Sequence, residues 1–349
     1  MRTAYFLGAG ASYAIRPHFP LARDLTVAKL LDRREYPVES DMTIESPERG
    51  ADVIIEIRAA IAEGRLPAEI LTVRLEDVLD RLPVAHGSPG LRERILYLVM
   101  KRLTLDGDGT SADLSALLWT AQKRGDLFLT TNYDTLLEWE LGLMGTDTQW
   151  TPEDPMGPDG RFWIDFGVPD ELRVPPGERA AKARRILGHE HASLPVLKLH
   201  GSVSWSGCQR CGLFDLDPLF QDGATDSIGG WLTCRRCGGL RQPIFVPPVV
   251  RKDVSSHPVI RAVWARAHEE LKRVDRIVIA GFSLDPSDDG IRSLLRESDS
   301  GRLGSVVVVD PMEDGSVTQR FREVYGPRVE TRRESWATFI EGLGHSHRV

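Results

Sequence analysis

Five apolar runs in this 349-residue chain each stop at a glycine or a polar side chain: TAYFLGAG from residue 3, DLFLTTNYD from 126, PVLKLHGS from 195, DRIVIAGFS from 275 and SVVVVDP from 305. Runs of this kind, apolar without alternation, suit strands buried on both faces of a parallel sheet. A helical pattern at about 257–273 and the stretch SDDGIRSLLRES separate the later runs, so strands and helices alternate. The pattern predicts an α/β fold, a Rossmann-like doubly wound parallel sheet. In such sheets ligands bind beyond the carboxyl ends of the strands. Thr131, Asn132, Asp134, His200, Gly281, Ser283 and Asp310 all fall at that edge.

Residues 25–124 carry apolar positions at three- and four-residue spacing, as in ADVIIEIRAAIAEG and LEDVLDRL, and read as a helical insertion or layer. Residues 145–192 are rich in Pro, Gly and Asp and lack sustained periodicity, so they read as a long loop that could serve as a lid. There is no internal repeat and no low-complexity tract.

Hydrophobic residues make up 41% and charged residues 27%, and no apolar run approaches the roughly 18 residues that would span a bilayer. A soluble, cytoplasmic protein is expected, without a membrane partner. A net charge of −7 argues against a chain whose main task is neutralising the phosphates of nucleic acid. The opening MRTAYFLGAGASYAI has some features of a signal peptide, but Gly8 and Gly10 interrupt it, and a strand entering a glycine turn is the better reading.

All four cysteines lie in two Cys-x-x-Cys pairs, Cys208/Cys211 and Cys234/Cys237, separated by 22 residues. Each pair can present two thiolates from a tight turn, and together they supply the four soft ligands of a tetrahedral zinc. The intervening segment is too short and polar for its own core, so metal binding would fold it. A zinc-ribbon insertion over 205–242 is expected. Four cysteines would close the coordination sphere, which favours structural over catalytic zinc. Redox turns are the alternative.

The other motifs have plainer readings when taken singly. The GAGAS turn departs from a full Gly-x-Gly-x-x-Gly at Tyr13, and the acids Asp24 and Asp32 lie in or near helical patterning rather than after a second strand. Asn132 can cap the following helix, with Asp134 at the positive end of its dipole. His200 can be a hydrogen-bonded core histidine, and Gly281, Ser283 and Asp310 can be turn residues.

Taken in order, the set resembles the sirtuin family, and within it a divergent bacterial branch of NAD-consuming enzymes linked to phage defence. The resemblance runs from the first strand to about residue 312. It is carried by Gly8-Ala9-Gly10-Ala11-Ser12, Thr131-Asn132-Tyr133-Asp134, His200-Gly201-Ser202, the two cysteine pairs, Gly281-Phe282-Ser283 and Asp310. The eight-residue step from His200 to Cys208 is similar to that from catalytic histidine to first zinc cysteine in the family. The resemblance makes 1–349 one NAD-binding domain. It implies that Gly8, Gly10 and Ser12, with Ala9 between the glycines, hold the NAD pyrophosphate, and that Asn132 and Asp134 order the nicotinamide ribose. His200 would contact the ribose hydroxyls as base or polariser, Gly281 and Ser283 would approach the phosphates, and Asp310 would accept from the adenosine ribose.

Where sirtuin deacylases carry Gly-Ile-Pro-Asp-Phe-Arg, this chain reads RPHFPLARDL, with Phe19, Pro20, Arg23 and Asp24 arranged differently. A water-using hydrolase tolerates that change more easily than a deacylase. The expected activity is NAD+ hydrolysis to nicotinamide and ADP-ribose, as an NAD-depleting defence effector. The alternatives are an NAD-dependent protein-lysine deacylase and a non-catalytic module that senses NAD or ADP-ribose. About 35 residues follow Asp310, too few for an independent sensor domain. Control is therefore expected from homo-oligomerisation or from a separately encoded partner, such as an ATPase or an Argonaute-like protein.

Overall fold

The computed structural model describes residues 1–17, 19, 21, 25–28, 57–82, 91–92, 95–96, 99, 103, 111–141, 164–172, 194–208, 210–216, 234, 236–239, 241–246, 254, 257–286, 288–312 and 314–345. Ten strands are present among them: β1 (Thr3–Leu7), β2 (Leu127–Thr130), β3 (Ile164–Asp165), β4 (Leu194–Lys198), β5 (Gly201–Cys208), β6 (Phe214–Leu216), β7 (Arg241–Phe245), β8 (Arg276–Ala280), β9 (Ser305–Val309) and β10 (Val329–Arg332). Seven form one parallel sheet in the order β10-β9-β8-β1-β2-β4-β3. From central β1 the chain passes to β2, then to β3 at the edge, returns to β4 between them, and crosses back to β8, β9 and β10. This is the doubly wound α/β sheet that the apolar runs predict.

The runs form strands because every residue of β1, β2 and β4 is buried. Tyr5 stacks on Phe128 with ring centroids 4.9 Å apart, and Phe6 meets Phe282 at 4.8 Å. Around the sheet lie α1 (Ala9–Ile15), α2 (Leu75–Arg81), α3 (Ala112–Arg124), α4 (Leu136–Glu140), α5 (Pro258–Leu271), α6 (Asp289–Glu297), α7 (Ser316–Tyr325) and α8 (Trp336–His345). Helix α3 shows why such segments begin and end where they do. The Ser111 hydroxyl accepts from the Leu114 amide, Lys123 and Arg124 face the negative end of the dipole, and Gly125 closes the helix at φ +69°.

The helical layer expected over 25–124 appears in its described parts as helical residues 57–62, α2 and α3. Ile57, Val78, Leu79, Leu114 and Leu118 join the same core as the sheet. Most of the long loop at 145–192, and with it the lid reading, lies outside the described residues, although β3 and a short turn of helix at Asp170–Leu172 fall within it. Of the departing segment RPHFPLARDL, Phe19 is buried in the core, while Pro20, Arg23 and Asp24 lie outside the described residues.

Two features differ from expectation. His200 does not end a sheet strand: β4 stops at Lys198, Leu199 and His200 form a turn, and Gly201 starts β5 of a second, antiparallel sheet, β6-β5-β7. Gly201 has φ +77°, and a Cβ there would lie 2.3 Å from the Ile244 carbonyl oxygen. Only glycine permits that reversal. The small sheet therefore runs from Gly201 to Phe245, wider than the 205–242 drawn from the cysteines. The second difference is after Asp310, where α7, β10 and α8 complete the large sheet and return to it. Helix α8 packs against α1 and α3. No helix among the described residues is long and apolar enough to cross a membrane.

Candidate functional site

At the carboxyl edge of the sheet, the turn after β1 crosses the end of β8 at backbone contact. The Gly8 amide donates to the Ala280 carbonyl at 2.9 Å and the Gly10 amide to the Gly281 carbonyl at 3.0 Å. A Cβ on Gly8 would lie 2.4 Å from Gly281 O, and one on Gly281, at φ +63°, only 1.9 Å from the Ala11 nitrogen. These glycines are thus required by the crossing itself, apart from any ligand.

One strand over, three of the expected site residues form a single buried row of hydrogen bonds. The Asn132 side-chain Nδ2 donates to Ser12 Oγ at 2.9 Å, and Ser12 Oγ donates to Asp134 Oδ2 at 2.8 Å. The other carboxylate oxygen, Asp134 Oδ1, accepts from the Leu136 amide at 3.1 Å. Capping of α4 therefore falls to Asp134, whereas the Asn132 amide is held by Thr130 Oγ1 at 2.9 Å. Burial pushes the Asp134 carboxyl above its ordinary range; Lys198, the Ser12 hydroxyl and the Leu136 amide pull the other way. Ser12, Asn132, Asp134 and Lys198 line one small cavity with Leu7, Ala11, Thr130 and Trp336.

His200 is buried in the turn that follows the neighbouring strand, β4. The turn is fixed at three backbone points: the Leu199 amide donates to Thr130 O at 2.8 Å, Trp264 Nε1 to Leu199 O at 2.6 Å and the Val246 amide to His200 O at 2.7 Å. Its ring stacks on Tyr133, centroids 6.0 Å apart at 27°, and Tyr133 meets the edge of Phe245 at 5.8 Å. Burial raises the Tyr133 phenol well above its usual range, so it stays neutral. His200 thus faces the ring of the residue that follows Asn132.

Ser283 and Asp310 lie on the other half of the sheet. Arg320 Nη1 donates to the Ser283 carbonyl at 2.9 Å. Asp310 Oδ1 accepts from the Met312 amide at 3.1 Å, while its buried Oδ2 has no hydrogen-bond partner among the described residues. Three residues absent from the expected set also contribute here. Trp336 comes from the unanticipated α8; Lys198 and Glu138 form a buried ion pair at 2.7 Å. The lysine was visible in PVLKLHG, as a charge inside an otherwise apolar strand.

The four cysteines converge. Cys208 Sγ and Cys237 Sγ are 3.4 Å apart, Cys211 Sγ and Cys234 Sγ 3.6 Å, and all four ligand atoms lie within 4.8 Å of one another. A tetrahedron with bonds of about 2.3 Å needs sulfur–sulfur edges near 3.8 Å, whereas disulfides need about 2.0 Å. The cluster fits a structural zinc. Two matching turns present the sulfurs: the Gly212 amide donates to Cys208 O and the Gly238 amide to Cys234 O, both at 2.8 Å, with φ +69° and +67°. Burial opposes ionisation of Cys208, yet hydrogen bonds from the Cys211 amide and the Cys237 thiol lower it, while the other cysteines hold the Cys211 thiol up, so the cluster favours a first thiolate at Cys208.

No family model and no curated protein matches this chain. Among solved structures, it is similar to a Sir2 homologue in complex with NAD, at 16% identity over 99% of this chain and 89% of that one, with a TM-score of 0.45. It is similar also to a Sir2 protein bound to a propionylated peptide, at 14% identity over 99% and 92% of the two chains with a TM-score of 0.43. A Sir2 bound to acetylated peptide matches at 14% identity over the same shares, with a TM-score of 0.42.

Proposed function

We propose that this chain is a sirtuin-like NAD+ hydrolase, which cleaves NAD+ with water to nicotinamide, ADP-ribose and a proton. The observation that carries the reading is the buried row Asn132–Ser12–Asp134 beside His200, at the sheet edge where such folds bind nucleotides. The order of the sequence motifs supports it.

Breaking the nicotinamide–ribose bond passes through an oxocarbenium-like state, so the site must orient a neutral leaving group and admit one nucleophile. Asn132, its amide NH2 committed to Ser12, positions nicotinamide or water through a group that bears no charge. His200 takes a proton from a ribose hydroxyl or from the attacking water. Gly8, Ala9, Gly10 and Ser12 shape the pyrophosphate turn, with Gly281 and Ser283 opposite. Asp310 Oδ2, buried and unbonded among the described residues, accepts from the adenosine ribose. Zinc held by Cys208, Cys211, Cys234 and Cys237 supplies structure only. In the cell the chain serves as an NAD-depleting effector of phage defence, kept silent until self-assembly or a partner such as an ATPase or Argonaute-like protein triggers it.

The test is NAD+ consumption by the parent, Asn132→Ala and His200→Ala, with and without an acetylated peptide and with candidate partners. Nicotinamide release that needs no peptide and is lost in both variants supports hydrolysis. Peptide-dependent release makes the chain a deacylase, and binding without turnover under every condition makes it a sensor. A purified monomer that is fully active without additions counts against triggered control.

A further inference from the structure

We propose that the buried Lys198–Glu138 pair is a positioning device that sets the Asn132 turn against the His200 turn. The proposal rests on the hydrolase reading, which it deepens. Both side chains are only 1% exposed. Lys198 Nζ donates to Glu138 Oε1 at 2.7 Å and to the backbone carbonyl of Asp134, two residues beyond Asn132. Ser202, two residues beyond His200, donates its hydroxyl to the same Glu138 oxygen at 3.0 Å. One carboxylate oxygen on the Asn132 side thus takes bonds from the two residues that bracket the His200 turn, Lys198 before it and Ser202 after it. The junction is doubled by the Val203 amide, which donates to the Tyr133 carbonyl at 3.0 Å, and Ser204 Oγ stands 3.0 Å from Ser202 Oγ.

Stability alone gives a poor account of this pair. Burying two charges carries a desolvation cost of several kcal/mol per ion, and apolar replacements of similar volume are often neutral or stabilising. Glu138 also leaves its second oxygen, Oε2, buried without a hydrogen-bond partner among the described residues, which no stability device needs. What the pair does is tie both turns to one buried charge centre. Reacting groups must hold their relative placement to within about 1 Å, and an error of that size costs on the order of 10²-fold in rate.

The test replaces the pair together, as Lys198→Met with Glu138→Leu, because either change alone strands a buried charge. The expected double variant keeps its melting temperature and bound zinc and loses about 10²-fold in kcat, with KM within about threefold of the parent. Lys198→Arg, which keeps a cation, recovers part of kcat. A folded double variant with parental kcat overturns the proposal, and so does one that fails to fold, since the pair then belongs to stability. If the parent cleaves no NAD+ under any condition, the hydrolase reading fails separately. Amide hydrogen exchange then decides the pair: faster exchange in both 131–135 and 199–203 of the double variant supports positioning, and unchanged exchange overturns it.

Discussion

The carboxyl edge of the large sheet and the cysteine module solve the same problem, holding polar atoms together inside a protein, by opposite means. At the sheet edge Asn132, Ser12, Asp134, Lys198 and Glu138 are linked by buried hydrogen bonds while Phe6, Phe128 and Trp336 belong to the core around them. Among the described residues, the cysteine module's own buried cluster is Cys208, Leu213 and Cys234. Its four sulfurs converge to within 4.8 Å of one another. One region is organised by packing that tolerates a closed hydrogen-bond row; the other is organised by ligands that suit a metal.

Metal removal should separate the regions most sharply. Structural zinc contributes roughly 10–16 kcal/mol of apparent binding free energy at neutral pH. We expect a strong chelator, or Cys234→Ser, to abolish zinc and open the module to proteolysis between Cys211 and Cys234, while far-ultraviolet circular dichroism of the large sheet survives. Simultaneous loss of all structure would show that the two regions share one folding unit. The reverse experiment comes next. Asn132→Ala and His200→Ala should lower NAD+ turnover by about 10²–10⁴-fold with zinc content unchanged by atomic absorption. Zinc loss in His200→Ala would mean that the turn between β4 and β5 couples the sites.

Smaller effects probe the packing. Trp336 is buried where α8 closes the cavity, with its ring 6.4 Å from Tyr5 and 5.7 Å from Phe339. Trp336→Ala should destabilise the protein to urea by about 3–5 kcal/mol and leave zinc in place. The smallest effect concerns pH. The Asp134 carboxyl is raised in the folded state, first by burial. Folding therefore favours its protonated form, and its contribution is fully present below the unfolded pKa of about 3.9 and is lost as pH rises through the folded value. Asp134→Asn removes that term, so the variant should lose less stability than the parent over that window in urea titrations. Parallel pH profiles would place the carboxylate outside the energetics of the row.

The sheet was legible because strands buried on both faces cannot alternate; SVVVV and FLT leave few other options. The cysteines were legible because metal chemistry fixes their spacing. The row Asn132–Ser12–Asp134 was not, since its members lie 120 and 122 residues apart and only the fold places them together. Strand β5, GSVSWSGC, is buried along its whole length although more than half of it is serine or glycine, so no apolar signal marks it. Strand β10, VETR, is short and half exposed, as an edge strand can be, and it gave no run to notice. Lys198 reads as a flaw in an apolar strand until Glu138 is set beside it.

A serine hydroxyl carries one proton, and that gives the Asn132–Ser12–Asp134 row a direction. While Asp134 is ionised it can only accept, so Ser12 must give its proton there and take its own bond from the Asn132 NH2. The carboxamide is then oriented with its carbonyl oxygen away from Ser12. On the side away from Ser12, Asn132 thus presents its carbonyl oxygen, an acceptor whose orientation is set through Ser12 by the Asp134 carboxylate. With a proton on Asp134 the row could run backwards, and the same asparagine would turn a donor outward.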